Sequence, residues 1–226
     1  MQVSVIIPAL NEERALPATL QSLVGQSGEH EVIVVDGGSV DETCDVVKRY
    51  EQTIQNLRCI NAPRGRGSQM NAGARLASGK WLLFLHADTV LPGTALESIA
   101  AQSALEAGCL THRFSRHGAI LWLISRVHNL RFKLTGIMYG DQAIFVRRDI
   151  FWQVGAYPET LMEDVLFSEQ LRSVTRAVML PGKVITDSRK FEQIGELRAL
   201  WWVVRILLAH RKGRSVLDRE FFNEFR

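Results

Sequence analysis

The chain is poor in the features that mark several large protein classes. It has only three cysteines in 226 residues, Cys44, Cys59 and Cys109, with no CxxC pair. That favours reduced thiols and a cytoplasmic setting over a disulfide framework or a cysteine zinc site. The longest apolar candidate, Ala199 to Ala209, is broken by Arg205 and falls far short of the roughly 20 residues that cross a bilayer. The chain opens on a strand-like run rather than a basic stretch followed by an apolar core, so no secretory leader is expected. Lysine-rich runs and aromatic RNA-binding signatures are missing, and a net charge of +3 does not by itself point to nucleic acid. Glycine-rich phosphate loops are also missing. A dinucleotide-binding domain needs GxGxxG directly after the first strand, where this chain reads "PALNEE". "GRGSQM" lacks the third glycine, and "GARLASGKW" departs from the Walker pattern, with Trp81 after Lys80.

Acidic residues are absent locally as well. None lies between Ala107 and Gly140, where Arg113, Arg116, Arg126, Arg131 and Lys133 fall, and none between Arg198 and Arg214. Arg198, Arg205 and Lys212 recur every seven residues along "ELRALWWVVRILLAHRK", which places one cationic stripe on an otherwise apolar helix. Such a helix can lie in a membrane interface with its cations toward anionic headgroups; packing into the body or against a second copy in a homodimer is the alternative. With 46% hydrophobic residues the chain can bury a full core. One domain over residues 1–190 is expected, followed by an amphipathic helix and tail over 191–226.

What is present is an alternation of two kinds of segment. "VSVIIPAL", "EVIVVD", "LRCINA" and "WLLFLH" are apolar, mostly β-branched or leucine-rich runs suited to burial on both faces. Between them lie "NEERALPATLQSLV", with apolar residues at Leu16, Leu20 and Leu23 and acidic residues in its first turn, then "SVDETCDVVKRY" and "SQMNAGARLAS". Strands alternating with helices across short connections imply right-handed crossovers and a mostly parallel central sheet flanked by helices, an α/β fold. The second half is less regular: an amphipathic segment near residues 120–134, a strand "AIFVRR", a helix starting at "MEDVLFSEQLR" and a long helix from about Glu196.

In parallel sheets the ligand lies beyond the carboxyl ends of the strands. The residues there are Pro8 to Glu12, Asp36 to Ser39, Asn61 to Gly67 and His86 to Asp88. Asp36 precedes two glycines that let a flat ligand approach the backbone, and its carboxylate can accept an N–H from a base edge; capping the next helix is the competing role. Asp88 can hold a hard divalent cation bridging a diphosphate, or it can make an Asx turn into "VLPG". His86 is a second ligand or a strand-end histidine bonded to backbone. Glu163 and Asp164 start a helix, where the dipole favours ionised carboxylates and so a general base; ordinary helix-start acidity is the alternative.

Taken in order, "SVIIPALNEE", "VVDGGSVDET", "PRGRGSQMNAGARLASGKWLLFLHADT", "GDQAIFVRRDIF" and "LMEDV" resemble family 2 glycosyltransferases of the GT-A fold, within a group carrying HAD where relatives have DxD. The resemblance covers about residues 1–190. It implies an enzyme that uses a nucleotide-diphosphate sugar, most often UDP-linked, and inverts the anomeric centre. Pro8, Ala9, Asn11 and Glu12 would line the nucleoside pocket with Asp36 reading the base. Gly65 and Arg66 match the loop near the diphosphate, with Arg189 as a second cation. Asp141 and Gln142 match a GDQ segment near donor sugar or acceptor. Asp88, joined or not by His86, would hold Mg²⁺ or Mn²⁺, and Asp164 would deprotonate the acceptor hydroxyl. A histidine in place of the first aspartate contributes no charge, and manganese accepts nitrogen more readily than magnesium. The cationic segments suggest a lipid-linked or phosphate-bearing acceptor and a peripheral position on the inner face of the cell membrane. Two other readings compete: a non-catalytic sugar-nucleotide binding or scaffold protein, and a nucleotidyltransferase, whose glycine- and lysine-rich start is missing here.

Overall fold

The computed structural model describes residues 1–211. The first half is a regular alternation: β1 (Val3–Ala9), α1 (Leu16–Leu23), β2 (His30–Asp36), α2 (Thr43–Tyr50), β3 (Leu57–Asn61), α3 (Arg66–Leu76) and β4 (Trp81–Phe84). All seven residues of β1 are buried, as a strand covered on both faces requires. Val5 and Ile7 join a core with Leu16, Leu20 and Val47, whereas Ile6 joins a second core with Met70, Phe84 and Phe151. The strand period of two thus feeds two layers of helix.

The second half adds β5 (Thr89–Val90), α4 (Ala95–Ala100), β6 (Ala107–Phe114), α5 (Ala119–Thr135), a single 3-10 turn (Gly140–Gln142), β7 (Ile144–Arg147), α6 (Arg148–Gln153), α7 (Glu163–Arg172), β8 (Val178–Thr186), α8 (Arg189–Ile194) and α9 (Glu196–Arg211). The sheet has eight strands in the order β3-β2-β1-β4-β7-β6-β8-β5. β1 pairs in parallel with β2 and β4, and β2 with β3. β7 runs antiparallel between β4 and β6, and β6 pairs in parallel with β8 through a register shift at Leu110/Thr111.

Two differences from the sequence reading have local causes. Glu12 and Glu13 precede α1 instead of forming its first turn: their backbone N–H groups donate to Thr43 Oγ1 (2.9 Å) and Asp41 Oδ2 (3.1 Å), tying this loop to the one before α2. β6 occupies part of the acid-free span that reads as a cationic surface, and that surface is smaller than its charges suggest. Arg131 is buried, and Arg116 pairs with Glu192 (3.2 Å) and Glu196 (3.9 Å). α9 packs on α5, where Ala199 joins Leu121 and Ile124 in a small third core. The boundary expected at residue 190 falls within α8. Arg198 and Arg205 of the cationic stripe are exposed; Lys212 lies outside the described residues.

The join between β6 and its neighbours tolerates no side chain at Gly108. A Cβ there would collide with the Val178 carbonyl oxygen and meet Phe145 Cζ at 2.5 Å. Gly108→Ala is therefore expected to cost about 1–3 kcal/mol, read as a lower urea midpoint; an unchanged midpoint would mean that β6 and β8 are not held this closely.

Candidate active site

The parallel register sets Ala9 opposite Asp36 and Asp36 opposite Asn61, so three strand ends form one rim. Gln69, fully inside, holds that rim together. Its Nε2 donates to the carbonyls of Ala9 (2.9 Å) and Val35 (2.7 Å), one from each strand. Asn11 adopts a left-handed backbone (φ 54°) that turns the chain out of β1; its Oδ1 accepts from Val40 N (2.9 Å) and its N–H donates to Ser39 Oγ (2.9 Å).

Above this rim lies a cleft lined by Pro8, Ala9, Leu10 and Glu12 from the first strand end, Arg64, Gly65, Arg66 and Gln69 from the start of α3, and His86, Ala87 and Asp88 after β4. Gly65 takes φ 142°, a conformation that side chains disfavour, and this presents Arg66 at the start of α3. The carbonyl of Asp88 accepts from Asp187 N (2.9 Å), which fixes the HAD tip against the end of β8. His86 is packed so closely on Gly140 that a Cβ at residue 140 would overlap its Nε2, so the glycine of the GDQ segment makes room for the histidine.

The remaining predicted residues are placed differently. Asp36 is buried, and its carboxylate accepts from Gly38 N (3.0 Å), Ser39 N (3.0 Å) and Ser39 Oγ. It organises its own turn behind the cleft. Gln142 has no exposed surface; its Oε1 accepts from Tyr139 N (3.1 Å) and Arg131 Nη2 (3.4 Å), so it braces the 3-10 turn and does not face the cleft. The Asp141 carboxylate turns toward His112 and His128, 3.5 and 3.3 Å away. Burial pushes this carboxyl up, but the two imidazoles and Arg131 outweigh burial and hold it below the ordinary carboxylate range. Arg189 is exposed and paired with Asp187.

Asp164 opens α7, where Gly140 N donates to Oδ2 (2.8 Å) and Val165 N to Oδ1 (2.8 Å). Burial pushes its carboxyl up and prevails over those N–H groups and the Arg66 guanidinium, which pull it down. The helix start alone suggests the opposite direction; only the packing reveals that desolvation wins. Arg66 thus acts on both the cleft and Asp164. Residues that sequence reasoning missed include Gln69, His112, His128 and Arg131. A glutamine inside "GSQMNAG" carries no motif of its own, and the two histidines are 16 residues apart on different elements.

The sequence model described as glycosyl transferase family 2 matches residues 4–155. The chain belongs to this family. A PGL/p-HBAD biosynthesis glycosyltransferase of Mycobacterium tuberculosis is 37% identical over 168 residues, covering 68% of this chain and 62% of the relative. A poly(ribitol-phosphate) beta-glucosyltransferase of Bacillus spizizenii is 31% identical over 103 residues, 42% of this chain and 16% of the relative. Among solved structures, S. aureus TarS 1-349 superimposes with a TM-score of 0.65 at 22% identity, covering 90% of this chain and 65% of that one. The mannosyltransferase PcManGT of Pyrobaculum calidifontis superimposes with a TM-score of 0.63 at 22% identity, covering 81% and 56%. These likenesses establish the GT-A fold. The chain spans less than two thirds of the length of each relative named.

The bracing of the rim is open to test. Gln69→Met removes the donor to the Val35 carbonyl and one of the two donors to the Ala9 carbonyl, which keeps Gly37 N (2.9 Å), at a cost of about 1–3 kcal/mol. The variant is expected to unfold at correspondingly lower urea concentration than the parent, and equal midpoints would show that the carboxamide is not what joins the strand ends.

Proposed function

We propose that the protein is an inverting glycosyltransferase that moves a sugar from a nucleotide-diphosphate donor, UDP-linked in the first instance, to an acceptor hydroxyl. The observation that carries this reading is the convergence of Arg66, His86, Asp88 and the first strand end on one cleft, with Asp164 held beside Arg66. The donor class is supported by the relatives: TarS was solved with UDP-GlcNAc, and PcManGT with GDP-Man and Mn²⁺.

In this reading Pro8, Ala9, Asn11 and Glu12 seat the nucleoside, and the turn organised by Asp36 reads its base. Asp88 and His86 both line the cleft, and their carboxylate and imidazole would be the groups to hold a Mg²⁺ or Mn²⁺ ion there. When bound, such an ion supplies charge neutralisation to the diphosphate. Arg66 adds a fixed positive charge where the leaving group becomes more negative. The acceptor oxygen attacks the anomeric carbon on the face opposite the diphosphate as the carbon–oxygen bond to that leaving group breaks. The acceptor proton passes to Asp164, whose carboxylate is oriented by Gly140 N and Val165 N. A raised pKa suits a base, because it strengthens its affinity for the acceptor proton.

A lipid-linked or phosphate-bearing acceptor at a membrane surface is supported by the outer faces of α5 and α9. They expose Trp122, Leu130, Leu197 and Trp201, with Arg126 lying 5.3 Å from the Trp122 ring and Arg205 5.2 Å from that of Trp201. Apolar rings beside cations suit an anionic bilayer interface, and no helix among the described residues is long and apolar enough to cross a membrane.

Two outcomes are expected. With a panel of UDP- and GDP-sugars and membrane-lipid acceptors, Asp164→Asn loses transfer by roughly 10²- to 10⁴-fold with unchanged circular dichroism. The parent's kcat/KM falls as pH drops through the raised pKa of Asp164, so its acid limb lies above the ordinary aspartate value. Full transfer by the variant would reject Asp164 as the base, and nucleotide binding without turnover across the panel would reject the enzymatic assignment. Separately, the full chain should co-sediment with phosphatidylglycerol vesicles and release from them in high salt; failure to sediment at low salt removes the membrane proposal.

A further inference from the structure

Beneath the cleft, β6, α5 and the 3-10 turn each deliver one side chain to a single point. These are His112, whose side chain has no exposed surface, His128, which is nine-tenths buried, and Asp141. Neither ring nitrogen of His112 makes a hydrogen bond, nor does Nδ1 of His128 or Oδ1 of Asp141. Buried polar atoms in folded proteins are nearly always partnered, so three such side chains turned on one another point to chemistry beyond packing. One donor atom from each can be chosen so that all lie within 4.8 Å of one another.

We propose that His112, His128 and Asp141 bind one divalent transition-metal ion of the zinc class, at a site separate from the diphosphate cation assigned to Asp88. Asp141 Oδ2 stands 3.5 Å from His112 Nε2 and 3.3 Å from His128 Nδ1. Those spacings are long for hydrogen bonds. They match the ligand-to-ligand edge of about 3.3 Å implied by a tetrahedral ion with bonds of about 2.0–2.1 Å. Two imidazoles with one carboxylate select Zn²⁺, Co²⁺ or Fe²⁺ over Mg²⁺ and Ca²⁺, which prefer all-oxygen shells. Arg131 is a buried cation nearby, on which Tyr139, Asp141 and Asp164 act. An adjoining cleft lined by His112, Ser125 and Asn129 offers an approach from solvent.

The site would act through position. Asp141 follows Gly140, whose N–H holds Asp164 (2.8 Å) and whose Cα abuts His86. A bound ion would pin β6 and α5 to this turn and so fix the orientation of Asp164. The proposal does not depend on the transfer reaction, since it concerns residues outside the donor cleft.

The test uses the full chain. Stripped with chelator, reloaded with Zn²⁺ and desalted, it should retain close to one zinc per chain by mass spectrometry of the metal. Reloading with Co²⁺ should give visible ligand-field absorption. His112→Asn and His128→Asn should each weaken zinc binding by more than about tenfold, and Asp88→Asn should leave it unchanged. X-ray absorption at the zinc edge of the unaltered protein keeps the idea testable if the histidine variants do not fold: a shell containing two imidazoles is expected. An all-oxygen shell, no retained zinc, or zinc lost in Asp88→Asn but kept in His112→Asn would overturn the site. Loss of transfer with zinc retained would count against the enzymatic reading and not against this one.

Discussion

Parallel pairing of β1 with β2 and β4 is the constraint from which the site follows. Parallel strands end on the same side of the sheet, so the polar residues after each strand must share one rim whatever their separation in sequence. Ala9 stands opposite Asp36, and Gln69 bonds the carbonyls at the ends of both strands. The loops at this rim carry little apolar surface, and hydrogen bonds hold them in its place. Asn11, Glu12 and Glu13 are tied to residues 39–43, and Asp36 closes its own turn. A cleft built in this way is preorganised, so a ligand entering it orders little that is not already ordered.

The second half meets a different constraint, because it carries charge into the interior. Arg131 is buried with its guanidinium 3.3 Å from the centre of the Tyr139 ring, among Asp141, Asp164, His112 and His128. Isolated ions are costly to bury, and a network becomes tolerable only when each member has a partner. Desolvation raises the Asp164 carboxyl and lowers His112 to about 4, so burial acts on both groups toward their uncharged forms. Gly140 joins the two regions. It accepts the His86 ring against its Cα and donates its N–H to Asp164, which couples the HAD tip to the start of α7.

Much of this was legible beforehand because it rests on local rules. Runs such as "EVIVVD" and "WLLFLH" declare buried strands by composition, short connections dictate parallel crossovers, and strand ends then nominate Pro8, Glu12, Arg66, His86 and Asp88, all of which line the cleft. β6 and β8 were not legible. β6 sits within an acid-free stretch whose charges masked its pattern, and β8 is interrupted by Pro181-Gly182 where the register shifts. Gln142 illustrates another limit: the GDQ segment nominates it as a ligand contact, and only the packing shows that its Oε1 is engaged by Tyr139 and Arg131.

The sequence by itself determined the α/β class, the order of the first four strands and helices, and the set of groups gathered at their ends, since each depends on periodicity and chain connectivity within about thirty residues. Tertiary structure alone decided which carboxylate is desolvated, which arginine is exposed, and that His112, His128 and Asp141 meet. Those outcomes depend on side chains from β6, α5 and the 3-10 turn converging through long-range packing, and desolvation is a property of the place where a residue ends up, which its identity does not carry.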